Sequence, residues 1–314
     1  MAIITDIDKA VQLLLEGGLV ALPTETVYGL GANALDTNAV AKVFKAKNRP
    51  SFDPLIIHVA SIEQAHEVAE LNEDAIALLE RFSPGPLTIV VPKKDVVPDL
   101  VTSGHPTVAV RIPNHPMTLE VIEKSRLCIA APSANPFGFT SPTTAIHVQQ
   151  QLGERIDAVL DGGACGVGLE STIVDLCGKP KVLRLGGLAL EELESVLGTL
   201  EVQTSSSNPK APGMLSSHYN PGATIRLFDN LDSLRSSIDS VDNSEIGFLV
   251  MSSDMNSDNV FNLSPSLNDE EAASRLFVGL RELGARGFKE IWAHYLPEEG
   301  LGRAINDRLK RAAN

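Results

Sequence analysis

The chain has 314 residues, enough for about two domains with sizeable cores, and its 43% apolar and 21% charged content fits ordinary globular folding rather than disorder or a collagen-like repeat. Twenty-six basic residues stand against 40 acidic ones, a formal charge of -14, which opposes broad binding to nucleic acid or to an anionic membrane surface. Cys128, Cys165 and Cys177 are odd in number and lack C-x-x-C spacing, so they signal neither a disulfide framework nor a zinc site.

The N-terminal segment MAIITDIDKA has no basic region followed by an apolar one, and no uncharged stretch reaches the length of a membrane span. A cytoplasmic protein with no membrane partner is expected. Thr5 is placed to cap a first helix whose Ile7, Ala10, Val11, Leu14 and Leu15 form one apolar stripe, ended by Gly17-Gly18. Short apolar runs bounded by turn residues then predict strands at Leu19–Leu22, Leu55–Ala60, Leu87–Val91, Val108–Ile112, Leu127–Ala131, Ile173–Leu176 and Val182–Leu185. Capped helices are expected between them, with Ser61 facing Gln64, Asn72 before Ala75, and Ala189–Leu197 closed by Gly198.

From Val202 to Pro212 the chain turns polar, Ser-rich and Pro-rich, too poor in apolar residues for a core element. We divide it into a domain over 1–200, a linker over 201–221 and a small domain over 222–314. In the last, strands near Ile225–Phe228, Ile246–Met251 and Ile291–Tyr295 alternate with helices over Asp269–Leu283 and up to Ala313, a pattern of parallel-sheet domains. Acidic residues outnumber basic ones on both sides of the linker, so neither half is a basic module.

Several segments could carry chemistry. Pro23-Thr-Glu-Thr-Val-Tyr-Gly29 sets two hydroxyls and a carboxylate where a strand ends, the place where open α/β sheets bind ligands, though Thr24 or Thr26 could equally cap a following helix. Lys42, Lys45, Lys47 and Arg49 read either as a solvated helix face or as cations delivered into a phosphate-holding loop. Strand alternation puts Leu55, Ile57 and Val59 on one face and His58 on the other; a lone His there is commonly a satisfied core or rim residue. Arg111 points away from Val108, Val110 and Ile112, and burying it demands an anion, either a protein carboxylate or a substrate carboxylate held bidentately. Ala131-Pro-Ser-Ala-Asn135 and Ser141-Pro-Thr gather the small polar residues of phosphate cradles. The glycine-rich run Asp161–Thr172 is not a P-loop, because Leu169-Glu170 stand where Lys-Ser/Thr is required, and Cys165 reads as an ordinary buried thiol.

In order along the chain, PTETVYGLGANA from Pro23, KAKNRP from Lys45, PLIIHV from Pro54, PGPLT from Pro84, VAVRIP from Val108, APSANPFG from Ala131, SPT from Ser141, ESTIVD from Glu170 and LRLGG from Leu183 resemble the YrdC family of threonylcarbamoyl-AMP synthases. Pro212-Gly-Met and His218-Tyr-Asn-Pro221 are similar to the linker of its long, two-domain (Sua-type) branch. The resemblance implies an α/β fold: an N-terminal YrdC-like mixed twisted sheet with helices, plus a smaller C-terminal parallel, Rossmann-like domain. It implies condensation of L-threonine, bicarbonate or CO2, and ATP to threonylcarbamoyl-adenylate and pyrophosphate, with Mg2+ accompanying ATP. The adenylate would pass to a separate transferase complex that modifies the adenosine beside the tRNA anticodon. By position, Thr26, His58, Arg111, Ala131 and Ser171 would line the threonine site. Arg49, Asp53, Thr107, Ser133, Ser141 and Arg184 would line the ATP site, with Lys47 and Asn135 in the same motifs and His218 and Tyr219 in the linker. Three departures stand out: Leu215-Ser216-Ser217 where basic or aromatic residues are usual, Asp53 where Asn is frequent, and Ala131 where a hydroxyl is frequent. A carboxylate at position 53 is unfavourable beside a triphosphate unless it reaches a metal or a cation.

Three other readings compete. Single-domain relatives can hold double-stranded RNA, but the charge of -14 and the 4% aromatic content oppose that here. Hydrogenase-maturation proteins share the domain but carry zinc-finger cysteines. A regulatory paralogue would bind nucleotide without turnover.

Overall fold

The structure, a computed structural model, describes residues 2–205, 211–214, 218–238 and 244–314. They fall into two compact units, the second formed by 216–314 together with two short excursions of the chain at 138–140 and 167–169. The division thus departs from a plain cut at the linker.

The first unit carries strands β1 (Ala2–Ile4), β2 (Val20–Leu22), β3 (Gly29–Asn33), β4 (Ile56–His58), β5 (Leu87–Pro92), β6 (Thr107–Arg111), β7 (Ile129–Ala130), β8 (Ala158–Leu160), β9 (Thr172–Asp175), β10 (Lys181–Arg184) and β11 (Glu201–Val202). They form one mixed sheet in the order β1-β8-β2-β3-β7-β4-β6-β5-β9-β10-β11. Every run read as a strand in the sequence is one: those at Leu19–Leu22, Leu55–Ala60 and Leu127–Ala131 are shortened, that at Leu87–Val91 gains Pro92, and those at Val108–Ile112, Ile173–Leu176 and Val182–Leu185 begin and end one residue earlier. Four strands were not expected. β3 is the sequence GLGAN, without apolar alternation, and its glycine is steric: a Cβ on Gly31 would stand 3.0 Å from the Val20 carbonyl oxygen. β1, β8 and β11 are two or three residues long, too short to show a period.

Helix ends follow local hydrogen bonding. Asp6, not Thr5, caps the first helix, Ile7–Leu15, by accepting from the Lys9 amide; a carboxylate at that position also favours the helix N-terminus electrostatically. Ser61 and Asn72 cap as expected, accepting from Gln64 and Ala75. Neither Thr24 nor Thr26 caps a helix, because the element after them is β3. Instead Thr24 Oγ1 accepts from the amides of Thr26 and Val27 and donates to the Val27 carbonyl, closing the turn on itself.

The two faces of the central strands divide the unit's labour. Ile57, Ile89, Val108, Val110, Val174 and Val182 point into the main core beneath the helices. The other face bears Ile56, Val90, Ala109, Ile173 and Leu183, and Ala211 and Met214 pack on these residues. Two residues of the expected linker, Ala211 and Met214, are therefore buried in an apolar cluster to which the sheet supplies the other members. Residues 201–202 pair with β10, which shortens the linker at its start. Leu215, Ser216 and Ser217 lie outside the described residues.

The second unit is built on β12 (Thr224–Phe228), β13 (Ile246–Val250), β14 (Val260–Asn262) and β15 (Glu290–His294), all parallel in the order β12-β15-β13-β14. This is the parallel α/β architecture expected of it. The helices over Asp269–Ala285 and Gly302–Ala313 match expectation, whereas the helix Leu231–Ile238 and the edge strand β14 were not anticipated. No helix among the described residues is long and apolar enough to cross a membrane.

Candidate functional site

The site is built on the sheet face that carries Ile56, Val90 and Ala109. In the β4–β6 register Ile56 opposes Ala109 and His58 opposes Arg111, so the apolar pair and the polar pair follow one another along the same face. Thr107, Ala109 and Arg111 form one row by alternation, spanning about 13 Å at the usual strand rise. Thr107 Oγ1, at the far end of this row, is buried with no hydrogen-bond partner among the described residues.

At the near end Arg111 is 4% exposed. Its Nη1 donates to Thr26 Oγ1 at 2.8 Å and its Nε to the Gly85 carbonyl at 3.3 Å. Its Nη2 stands 2.7 Å from Glu25 Oε1. The anion that burial demanded is thus Glu25, a protein carboxylate, contributed by the same Pro23–Gly29 turn that carries Thr26. The sequence showed Glu25 only as the carboxylate of that turn; its arrival at Arg111 depends on β2 and β6 being brought into one sheet.

His58 is buried beside Arg111, and its Nδ1 is 3.4 Å from the Ile56 carbonyl. Burial and then the Arg111 charge push its pKa down to about 3, against a small opposing effect of that carbonyl. A neutral imidazole follows, suited to apolar and hydrogen-bond contact rather than to charge. Ala131 adjoins this pair through its amide, which donates to the Ile56 carbonyl.

Ser171 sits at the head of β9, where its Oγ is 2.7 Å from Thr88 Oγ1 and accepts from Arg184 Nη2 at 3.0 Å. Arg184 Nε donates to the Ser171 carbonyl and Nη1 to the Pro212 carbonyl, which ties residues 211–214 to the site. Ser141 donates to Glu170 Oε1 at 2.6 Å. The first LRLGG glycine has a steric reason here, since a Cβ on Gly186 would stand 2.3 Å from the Glu170 carbonyl oxygen.

The basic run divides in two. Lys42 and Lys45 are exposed, as a helix face would be. Lys47, in the last turn of the helix Thr37–Lys47, is buried, and its ammonium donates to the carbonyls of Ser133 and Asn135, both at 2.5 Å. Burial, reinforced by the Arg49 charge, holds its pKa well below the usual lysine value. Arg49 donates to the carbonyls of Asp53 and Pro54 and pairs with Asp53 Oδ2 at 2.9 Å. Burial raises the Asp53 carboxyl, and Arg49, Lys47 and Arg184 oppose the rise. The cation that a carboxylate at position 53 needed is Arg49, four residues earlier.

Thr26, His58, Arg111, Ala131, Ser171, Ser133, Asn135, Ser141, Arg184, Lys47, Arg49, Asp53 and Thr107 all belong to the first unit. His218 and Tyr219 belong to the second, where Tyr219 is buried with its ring 5.2 Å from that of Phe277 and with the Arg308 guanidinium carbon 5.6 Å from its ring centroid. Cys165 has its thiol pushed up to about 12, chiefly by burial, which leaves it inert. No group of three or more His, Cys, Asp or Glu side chains among the described residues is arranged to hold a metal ion.

Two families match this chain. The one described as "Telomere recombination" covers residues 12–186, and the one described as "Threonylcarbamoyl-AMP synthase, C-terminal domain" covers 188–314. The chain is 45% identical to the threonylcarbamoyl-AMP synthase of Pyrococcus abyssi, over 97% of this chain and 93% of that protein. It is 39% identical to the Bacillus subtilis protein of the same name, over 98% and 92%. A crystal structure of P. abyssi Sua5 complexed with L-threonine superposes with a TM-score of 0.92 at 44% identity, covering 98% of this chain and 94% of that one.

Proposed function

The chain belongs to the threonylcarbamoyl-AMP synthase family, and from that premise we propose that it condenses L-threonine, bicarbonate or CO2, and ATP into threonylcarbamoyl-adenylate with release of pyrophosphate. The observation that supports this best is Arg111, buried beside Thr26 and His58 on a covered sheet face, in a relative of a protein crystallised with L-threonine.

On this reading Arg111, Thr26, His58, Ala131 and Ser171 receive the amino acid. Arg49, Asp53, Thr107, Ser133, Ser141 and Arg184 flank the nucleotide, and Lys47 fixes the Ser133–Asn135 loop from behind. The amine captures CO2, and the carbamate oxygen so formed attacks the α-phosphorus of ATP in line with departing pyrophosphate, which makes the reaction a nucleotidyl transfer. Nothing in that sequence requires a covalent enzyme intermediate. The protein's part is to position the reactants and to stabilise charge. Asp53 Oδ1, buried and accepting no hydrogen bond among the described residues, is an oxygen of the kind Mg2+ takes, and the ion would supply charge neutralisation on the triphosphate.

Ala211 and Met214 pack on the site face and Arg184 donates to the Pro212 carbonyl, which supports a role for this part of the linker in covering the nucleotide. ATP and threonine together should slow proteolysis within the linker; equal cleavage with and without ligands would make it a tether only. The mixed anhydride formed is labile, so a tRNA-modifying transferase that takes the threonylcarbamoyl group onto adenosine is the consumer we propose, in the cytoplasm where ATP and tRNA meet.

The decisive experiment follows pyrophosphate release with ATP and Mg2+. Release should require both L-threonine and bicarbonate, and serine should serve less well, by about 1 to 3 kcal/mol for one lost methyl. Release indifferent to bicarbonate, with AMP esterified to threonine's own carboxylate, would reduce the protein to an ordinary amino-acid adenylating enzyme.

A further inference from the structure

Glu25 is held by its backbone, not by its side chain. The Thr24 hydroxyl closes the turn around it, and its carboxylate is drawn inward until the side chain is 13% exposed. Neither oxygen accepts a hydrogen bond among the described residues, and the 2.7 Å approach to Arg111 Nη2 has no N–H lying along it. Buried carboxylates ordinarily accept two or more hydrogen bonds, because leaving the oxygens dry is costly. A carboxylate whose task was to steady Arg111 would face the guanidinium fork and take two parallel N–H bonds. Arg111 instead gives its Nη1 and Nε hydrogens to Thr26 and Gly85.

A buried guanidinium beside a carboxylate with free lone pairs is the complement of a zwitterion. The amino-acid carboxylate takes the guanidinium, and an ammonium brings three N–H donors to the starved acceptor. We propose that Glu25 receives the ammonium of threonine and accepts the first proton that must leave it before the amine can react. This rests on the synthase reading above and assigns a catalytic residue within it.

The step balances. The ammonium gives one proton to a Glu25 oxygen, and the nitrogen lone pair so freed attacks the carbon of CO2. The C–N bond forms as one C=O pair moves onto oxygen, and the second N–H proton passes to water. Ammonium plus CO2 thus yields carbamate and two protons, one on Glu25 and one in solvent; Glu25 returns its proton to water before the next turnover.

The test compares the two directions of the reaction in Glu25→Gln. Forward synthesis from threonine, bicarbonate and ATP needs the deprotonation. Making ATP from preformed threonylcarbamoyl-adenylate and pyrophosphate releases the carbamate, which loses CO2 off the enzyme, and needs no base. We expect forward synthesis to fall at least 100-fold while reverse ATP formation stays within about threefold of wild type. Loss of both to a similar degree in a variant with wild-type thermal melting, or loss of neither, overturns the assignment. Should Glu25→Gln not fold, Glu25→Asp keeps the charge at shorter reach and must lower forward synthesis more than reverse; equal losses overturn the proposal there too. A wild-type protein that makes no threonylcarbamoyl-adenylate at all would instead be a failure of the synthase reading.

Discussion

Lys47 and Arg49 are tied to backbone carbonyls and, through Arg49, to Asp53, whereas Arg111 stands against a carboxylate that accepts no hydrogen bond among the described residues. Both arrangements bury positive charge, but they treat it differently. The Lys47–Arg49–Asp53 group meets its charge within the protein and leaves one oxygen, Asp53 Oδ1, without a hydrogen bond among the described residues, so its cations serve as scaffold before any ligand arrives, whereas Glu25 has both oxygens unused. The Arg111–Glu25 pair leaves acceptor capacity unused, so its energy is recovered only when something else enters. Damage to the first should therefore show in folding, and damage to the second in ligand dependence.

The largest effect should come from the scaffold half. Arg49→Ala strands Asp53 in a buried setting, and unfolding in denaturant should show a loss of about 3 to 5 kcal/mol. An unchanged midpoint would mean that Asp53 is not held by Arg49. In the ligand half, Arg111→Lys replaces a planar fork by a point charge. The threonine requirement should rise by the equivalent of about 2 to 4 kcal/mol while ATP dependence moves little. Near-normal threonine dependence would remove Arg111 from the amino-acid site and dissolve the contrast.

His58 sharpens it through pH. Its pKa in the folded chain is depressed to about 3, below the roughly 6.5 of an unfolded histidine. The unfolded chain therefore binds a proton that the folded one refuses. No penalty exists above pH 6.5; stability lost to this group grows as pH falls from about 6.5 to about 3, by at most about 1.4 kcal/mol per pH unit, and is complete below that. His58→Asn should flatten that part of the stability profile relative to wild type, and parallel profiles would show that His58 titrates normally. The smallest effect lies away from the first unit altogether. Phe277→Leu removes the ring stacked on Tyr219 and should cost the second unit about 1 kcal/mol in thermal or chemical melting.

Much of this was legible in the sequence, for identifiable reasons. Apolar runs such as Leu87–Val91 announce central strands because both sheet faces there are buried, and alternation around Arg111 gave its direction correctly. β3 was not legible, since GLGAN is selected by close backbone packing rather than by hydrophobic period. Lys47 looked like its exposed neighbours Lys42 and Lys45, because nothing local shows that the Ser133–Asn135 carbonyls will meet the end of that helix. The pairing of Asp53 with Arg49 was within reach at four residues' separation, whereas that of Glu25 with Arg111, 86 residues apart, required the sheet.

The sheet's far edge has a consequence for how this chain is made. Ala2 pairs with Ala158 and Val20 also pairs with Ala158, so β8 is inserted between β1 and β2. At synthesis rates of about 5 to 20 residues per second, β1 emerges roughly 8 to 30 seconds before its partner exists. Through that interval an apolar strand edge stands open on the ribosome-bound chain, and loop-closure entropy for so distant a pairing makes its docking late and slow. The Ala2–Ile4 strand is thus a segment on which a nascent-chain chaperone has long to act, and its β1–β8 amides should be among the last in this sheet to gain protection from hydrogen exchange during refolding.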